Sequence, residues 1–137
     1  MKNKKILNNI FKEFPPILES NNIICAYIFG SLARGNSGKL SDVDIAVYVS
    51  SSLNRYEKFD LKIKLMKELG RILKTDNIDI LILNDAPPML KHRVIKEGKI
   101  IYYREKEMMI DFEVRAVMEY LDFLPFIKKH TKEILYG

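Results

Sequence analysis

The chain alternates short apolar runs with longer stretches in which apolar residues recur every three or four positions. Residues 4–14 carry Ile6, Leu7, Ile10, Phe11 and Phe14 at helical spacing, and Pro15-Pro16 is expected to interrupt or end that helix. "IICAYIFG" (23–30) is β-branched and aromatic-rich and is stopped by glycine, the pattern of a buried strand. Residues 35–41 are rich in Gly, Asn, Ser and Lys and read as a loop. In "DVDIAVYVS" (42–50) Val43, Ile45, Val47 and Val49 share one strand face, and Asp42, Asp44, Ala46 and Tyr48 share the other. Residues 53–74 predict a long amphipathic helix with Phe59, Ile63, Met66, Leu69, Ile72 and Leu73 inward. "NIDILILN" (77–84) predicts a third strand. Pro87-Pro88 marks a helix start and Gly98 its stop. "KIIYY" (99–103) predicts a fourth strand, and from Glu105 to about Tyr136 the pattern is helical, with a kink or break at Pro125. This order predicts one α+β domain over 1–137: a small mixed sheet flanked by helices, with a C-terminal helical region from about 105.

Composition narrows the class. With 47% hydrophobic and 30% charged residues, a chain of 137 can bury a core. Its apolar runs are far short of a membrane span. The basic N-terminal stretch is broken by Asn and Glu and reads as an amphipathic helix rather than a signal peptide. Cys25 is alone, which rules out an intrachain disulfide or a cysteine metal site and fits a cytoplasmic location. The net charge of +5 comes from scattered lysines. It favours an anionic ligand or acidic partner, and direct nucleic-acid binding is not expected.

Residues 30–44, "GSLARGNSGKLSDVD", carry the chemistry. Gly38-Lys39 invites a P-loop reading, G-x-x-x-x-G-K-[ST]. Ala33 stands where the first glycine belongs, however, and Leu40 replaces the magnesium-ligating hydroxyl. The aspartates offer an alternative. Asp42 and Asp44 project to one side of a strand, and two carboxylates so close are costly unless cations neutralise them. Magnesium is commonly held by one or two carboxylates plus substrate phosphates, and a pair of such ions can clamp both oxygens of a phosphoryl displacement. Asp79 opens the next strand; if that strand is a neighbour, it can join as metal ligand and as acceptor of a proton from an attacking hydroxyl. Gly30 and Ser31 sit where a strand meets a helix start, placed to hold a triphosphate through backbone N–H groups and a hydroxyl. Arg34 and Lys39 are candidate phosphate neighbours.

Gly30-Ser31, ten intervening residues, Asp42-x-Asp44 and then Asp79 resemble the nucleotidyltransferase superfamily of the polymerase-β type. The short length and the segment "LNDAPPMLKHRVIKEGKIIYY" are similar to the minimal nucleotidyltransferases, the MntA-like antitoxins paired with HEPN toxins. The resemblance implies a polymerase-β-like fold, ATP as substrate, two Mg2+ ions as cofactor, and transfer of AMP, in some cases several in succession. The implied acceptor is a tyrosine hydroxyl of a cognate HEPN ribonuclease toxin, which is thereby inactivated. The partners would be that toxin and ATP, in a hetero-oligomer, with a homodimer also compatible and no membrane involved. HEPN toxins carry an Arg four to six residues before a His, and neither His92 nor His130 has one there, so this chain is not the ribonuclease half. Two alternatives stay open: nucleotidyl transfer to a small molecule, as in aminoglycoside enzymes, or an antitoxin that works by binding alone through the apolar C-terminal helix.

Overall fold

The structure, a computed structural model, describes residues 2–33 and 42–136. Helix α1 (Lys2–Ser20) leads into strand β1 (Cys25–Phe29) and a single helical turn, α2 (Gly30–Ala33). Strand β2 (Val43–Tyr48), helix α3 (Arg55–Leu73) and strand β3 (Ile78–Ile82) follow as a β-α-β unit. A 3-10 turn (Leu83–Asp85), helix α4 (Pro88–Glu97), strand β4 (Lys99–Tyr103) and helix α5 (Lys106–Tyr136) complete the order.

The strands lie in the order β3-β2-β1-β4. β1 pairs antiparallel with both β2 and β4, while β2 and β3 run parallel, so the sheet is mixed, as the sequence predicts. The alternation in β2 sorts its side chains between two layers. Val43, Ile45 and Val47 enter a core with Ile10, Phe14 and Leu18 of α1 and Leu65 and Leu69 of α3. Ala46 and Tyr48 meet Tyr27, Val94, Met109 and Phe112 beneath α4 and α5. Each fully buried aliphatic side chain contributes about 1.5–3 kcal/mol. The side chain of Asn84 extends the ladder beyond β2: its Nδ2 donates to the Val49 carbonyl at 2.7 Å and its Oδ1 accepts from the Val49 N–H at 3.0 Å.

Three sequence expectations are corrected. α1 does not end at Pro15-Pro16 but runs to Ser20. Continuing the helix keeps Phe14 and Leu18 on the fully buried face, one turn apart. The carbonyls deprived of donors belong to Phe11 and Lys12, which lie on the exposed side where water can serve them. Pro125 likewise sits inside α5 without breaking it, four residues after exposed Leu121. In α3 the inward face does not include Phe59, which is 62% exposed. Of the expected face, Met66, Leu69, Ile72 and Leu73 do pack on the core, and Leu61 and Leu65 join them. The buried face is turned toward Leu61 and Leu65, which leaves Phe59 in solvent.

α3 begins at a capping box. Asn54 Oδ1 accepts from the Glu57 N–H at 2.8 Å, and Glu57 Oε1 accepts from the Asn54 N–H at 2.9 Å. Asn54→Ala is expected to cost about 1 kcal/mol in a denaturant titration, and Asn54→Asp to restore most of it.

Candidate active site

β1, β2 and β3 deliver the candidate residues to one end of the sheet. In the parallel β2–β3 pair Asp44 lies opposite Asp79, and in the antiparallel β1–β2 pair it lies opposite Phe29, the last residue of β1. Opposed residues on neighbouring strands, about 4.8 Å apart, point to the same face. Asp44 and Asp79 therefore stand side by side on the α4–α5 face, Asp44 half-buried and Asp79 exposed. Asp42 is exposed and immediately precedes β2, which itself is hydrogen-bonded to the turn before β3 through Val43 N–H and the Asn77 carbonyl at 2.8 Å.

Gly30 follows Phe29 and adopts φ of +75°, a left-handed conformation that disfavours side chains. It also has no room for one. A Cβ at position 30 would fall on Oδ2 of Asp44 and lie 3.2 Å from its Cγ. The glycine thus lets the turn between β1 and α2 close against the Asp44 carboxylate. Ser31 is the second residue of α2. Arg34 and Lys39 lie outside the described residues.

The donor set fits a magnesium ion that is only partly held by protein. Among the described residues no three His, Cys, Asp or Glu side chains form a ready-made ligand cluster. What is present is the Asp44–Asp79 pair with Asp42 two residues away, an all-oxygen set of the kind that suits Mg2+ completed by phosphate oxygens and water.

Beneath this end of the sheet lies a polar contact that the apolar pattern of β1 conceals. Tyr27 is buried with its hydroxyl 4.0 Å from the Cys25 Sγ, and it also interacts with Glu113 of α5. Burial pushes the Cys25 thiol up to about 12, so it is not a nucleophile at neutral pH. Burial also raises the Tyr27 phenol and the Glu113 carboxyl above their usual ranges, and the nearby Tyr27 hydroxyl only partly offsets the shift at Glu113. A carboxyl raised in the folded state binds more protons there than in the unfolded chain. Its contribution to stability therefore falls as pH rises from the ordinary carboxylate range through the raised value. Glu113→Gln is expected to flatten that part of the profile, with thermal midpoints measured from pH 4 to 8 rising relative to wild type toward the neutral end.

Further contacts seat α4 and α5 on the sheet. Phe112 stacks on Tyr48 with ring centroids 4.2 Å apart, and Arg115 Nη2 donates to the Tyr48 hydroxyl at 3.1 Å. Lys91 pairs with Glu119 at 2.9 Å. His92 lies almost flat on Tyr120, centroids 3.8 Å apart, a packing role rather than a catalytic one. None of these pairs was legible in the sequence, because each joins residues that are distant along the chain.

A sheet of this order, with carboxylates on adjacent parallel strands beside a glycine turn, fits a nucleotidyltransferase. Residues 12–107 match the Polymerase beta, Nucleotidyltransferase family, and the chain belongs to it. A Methanocaldococcus jannaschii protein described as a candidate protein adenylyltransferase is 33% identical over 92 residues, covering 67% of this chain and 94% of that protein. The protein adenylyltransferase MntA of Shewanella oneidensis is 28% identical over 94 residues, covering 69% of this chain but 63% of its own length. Among solved structures, a chain from a toxin–antitoxin complex with AMP-PNP superposes with a TM-score of 0.70 at 21% identity, covering 98% of this chain and 99% of its own. A chain from a complex of tri-AMPylated Shewanella oneidensis HEPN toxin with MNT antitoxin gives 0.64 at 20% identity, covering 97% and 95%. At these identities the structures establish the fold. Among the described residues no helix is long and apolar enough to cross a membrane.

Proposed function

We propose that this chain is a cytoplasmic antitoxin that transfers AMP from ATP to a tyrosine hydroxyl of a cognate HEPN ribonuclease toxin and so inactivates it. The observation that carries the reading is the register of Asp44 against Asp79, on the strand end where Gly30 closes against Asp44. The named activity of the relatives supports the same chemistry.

In this reading Gly30 and Ser31 hold the triphosphate tail, with Arg34 and Lys39 as further phosphate neighbours. Asp42 and Asp44 hold magnesium, and Asp79 joins them. Bound magnesium supplies charge neutralisation on the phosphates and orients the α-phosphorus. Asp79 accepts the proton of the tyrosine hydroxyl as its oxygen bonds to the α-phosphorus, and the bond to the pyrophosphate leaving group breaks. The half-buried position of Asp44 keeps its carboxylate fixed before substrate arrives, so less ordering is left to the reaction step.

A protein acceptor is favoured over a small molecule by the surface of α5. Met109, Phe112 and Ala116 face the core, but Ile110, Val114, Met118 and Leu121 form an apolar stripe, each more than 40% exposed. The same stripe supports neutralisation by contact as a second component. The test is purified protein with ATP, Mg2+ and the cognate toxin, read by intact mass. Stepwise addition of AMP to the toxin is expected. An unmodified toxin in a complex that nevertheless lacks ribonuclease activity would leave contact as the whole mechanism.

A further inference from the structure

Helix α4 presents three flanks, and the contacts of two of them fix where the third points. Val94 is fully buried toward the sheet, in the cluster that also holds Tyr27 and Ala46, and Leu90 packs on that cluster, as does Leu81 of β3. The second flank meets α5: Lys91 pairs with Glu119 at 2.9 Å, and His92 stacks on Tyr120 with centroids 3.8 Å apart. A helix turns about 100° per residue, so Arg93 stands about 100° from Val94 and about 150° from the middle of the Lys91–His92 contact. Arg93 therefore lies on the flank turned away from α5, and Glu97 shares that flank one turn later.

The position of α5 shows what this flank overlooks. α5 covers the sheet at Tyr48, through Phe112 and Arg115, and at Tyr27, through Glu113. Tyr48 is four residues beyond Asp44 along β2, about 13 Å away. α5 thus lies over the part of the sheet remote from the carboxylates, and the opposite flank of α4 faces the end that bears them. α4 also runs toward that end. Its C-cap, Gly98, approaches β1 so closely that a Cβ there would lie 3.0 Å from the Ile28 carbonyl, one residue before Phe29. Asp44 is two residues from Ala46, and Asp79 two from Leu81, on the same face as those residues. Each step is about 7 Å along the strand, a distance that an arginine side chain spans. Arg93 is exposed, and among the described residues no hydrogen bond or ion pair holds it. Its guanidinium is left to a ligand on the carboxylate platform.

We propose that Arg93 is a catalytic residue of the transferase, holding the non-bridging oxygens of the ATP α-phosphate from the α4 side while Asp44 and Asp79 act from the sheet side. The inference rests on the transferase reading above. The tyrosine oxygen bonds to the α-phosphorus, the bond from that phosphorus to the bridging oxygen of pyrophosphate breaks, and its electron pair leaves with pyrophosphate. The hydroxyl proton passes to Asp79. Arg93 forms no covalent bond and gives up no proton. Its planar fork donates two parallel N–H groups to the phosphoryl oxygens, over which charge is spread as the group is transferred.

Arg93→Ala is expected to lower kcat about a hundredfold in the toxin assay with ATP and Mg2+, the size typical for one donor aimed at reacting charge. ATP binding and the KM for toxin are expected to hold, because the contact strengthens only in the transition state. Arg93→Lys should recover part of the rate, since an ammonium cannot take two oxygens in parallel. ATP carrying sulfur at one or the other non-bridging α-oxygen supplies a readout that a structural role would not move. The wild-type preference between the two epimers is expected to change about tenfold or more in Arg93→Ala, or about 1.4 kcal/mol. Lys96→Ala removes an exposed cation of the same helix, about 200° round from Val94 and so turned from the sheet, and should leave rate and preference unchanged. Matching thermal midpoints confirm the fold of each variant. Full kcat in Arg93→Ala, a loss confined to the KM for toxin, or an unaltered epimer preference overturns the proposal. A wild-type enzyme that adds no AMP defeats the transferase reading itself, an outcome distinct from a defect in the Arg93 variants alone.

Discussion

Asp44→Ala is expected to abolish AMP transfer, lowering the rate on the order of a thousandfold while leaving the fold intact. The size follows from what the carboxylate is asked to do. Removing a single preorganised group aimed at reacting charge typically costs 10² to 10³ in rate, or about 3–4 kcal/mol of barrier. Asp44 is placed for such a role by three strands at once: opposite Phe29 on one side, opposite Asp79 on the other, with Gly30 closed against it. Its apolar neighbours in β2, Ile45 and Val47, are wholly buried and hold the strand regardless of the residue at 44. The measurement is a single-turnover assay with labelled ATP alongside thermal unfolding. Retained activity with an unchanged midpoint would remove Asp44 from the site.

Gly30→Ala should be nearly as damaging, by a different route. A left-handed φ of +75° costs a non-glycine residue about 1–2 kcal/mol, and here the added methyl also lands on the Asp44 carboxylate. Either the turn opens or the carboxylate swings aside. Both outcomes misplace the phosphate-facing backbone relative to Asp44, and a misplacement of about 1 Å can cost a hundredfold in rate. The variant is expected to lose about a hundredfold in rate and 1–2 kcal/mol in stability. The two losses separate this residue from Asp44, whose substitution is expected to affect rate alone. An unperturbed Gly30→Ala enzyme would show that the tight approach is not needed.

Much of this was legible along the chain because its cause is local. Alternation in 42–50 specified both faces of β2, since a strand's side chains can only alternate. The failure of the P-loop pattern at Ala33 and Leu40 and the spacing from Gly30-Ser31 to Asp42 and Asp44 were likewise matters of residue identity, and they led to the family. The strand and helix order was readable for the same reason, several elements being punctuated by Gly, Pro or Asn, as at Gly30, Asn84 and Gly98.

What the amino-acid order left undecided depends on which element lies beside which. Asp79 becomes a partner of Asp44 only because β3 pairs parallel with β2 in that register; a shift of one residue would turn it to the other face. The helical stripe in α3 was misread only at its first residue, Phe59, because the exact rotation of the helix on the core, which buries Leu61 and Leu65, is set by packing. Pro15, Pro16 and Pro125 broke no helix, because side chains beyond them had a core to enter or a regular helix to continue, and the lost donors fell on the exposed side. The buried Tyr27–Glu113 contact joins residues more than eighty positions apart. Local preferences decide elements and faces. Register, burial and the convergence of distant charges are decided by packing, where the free energy of a contact depends on a neighbour that the chain reaches only by folding.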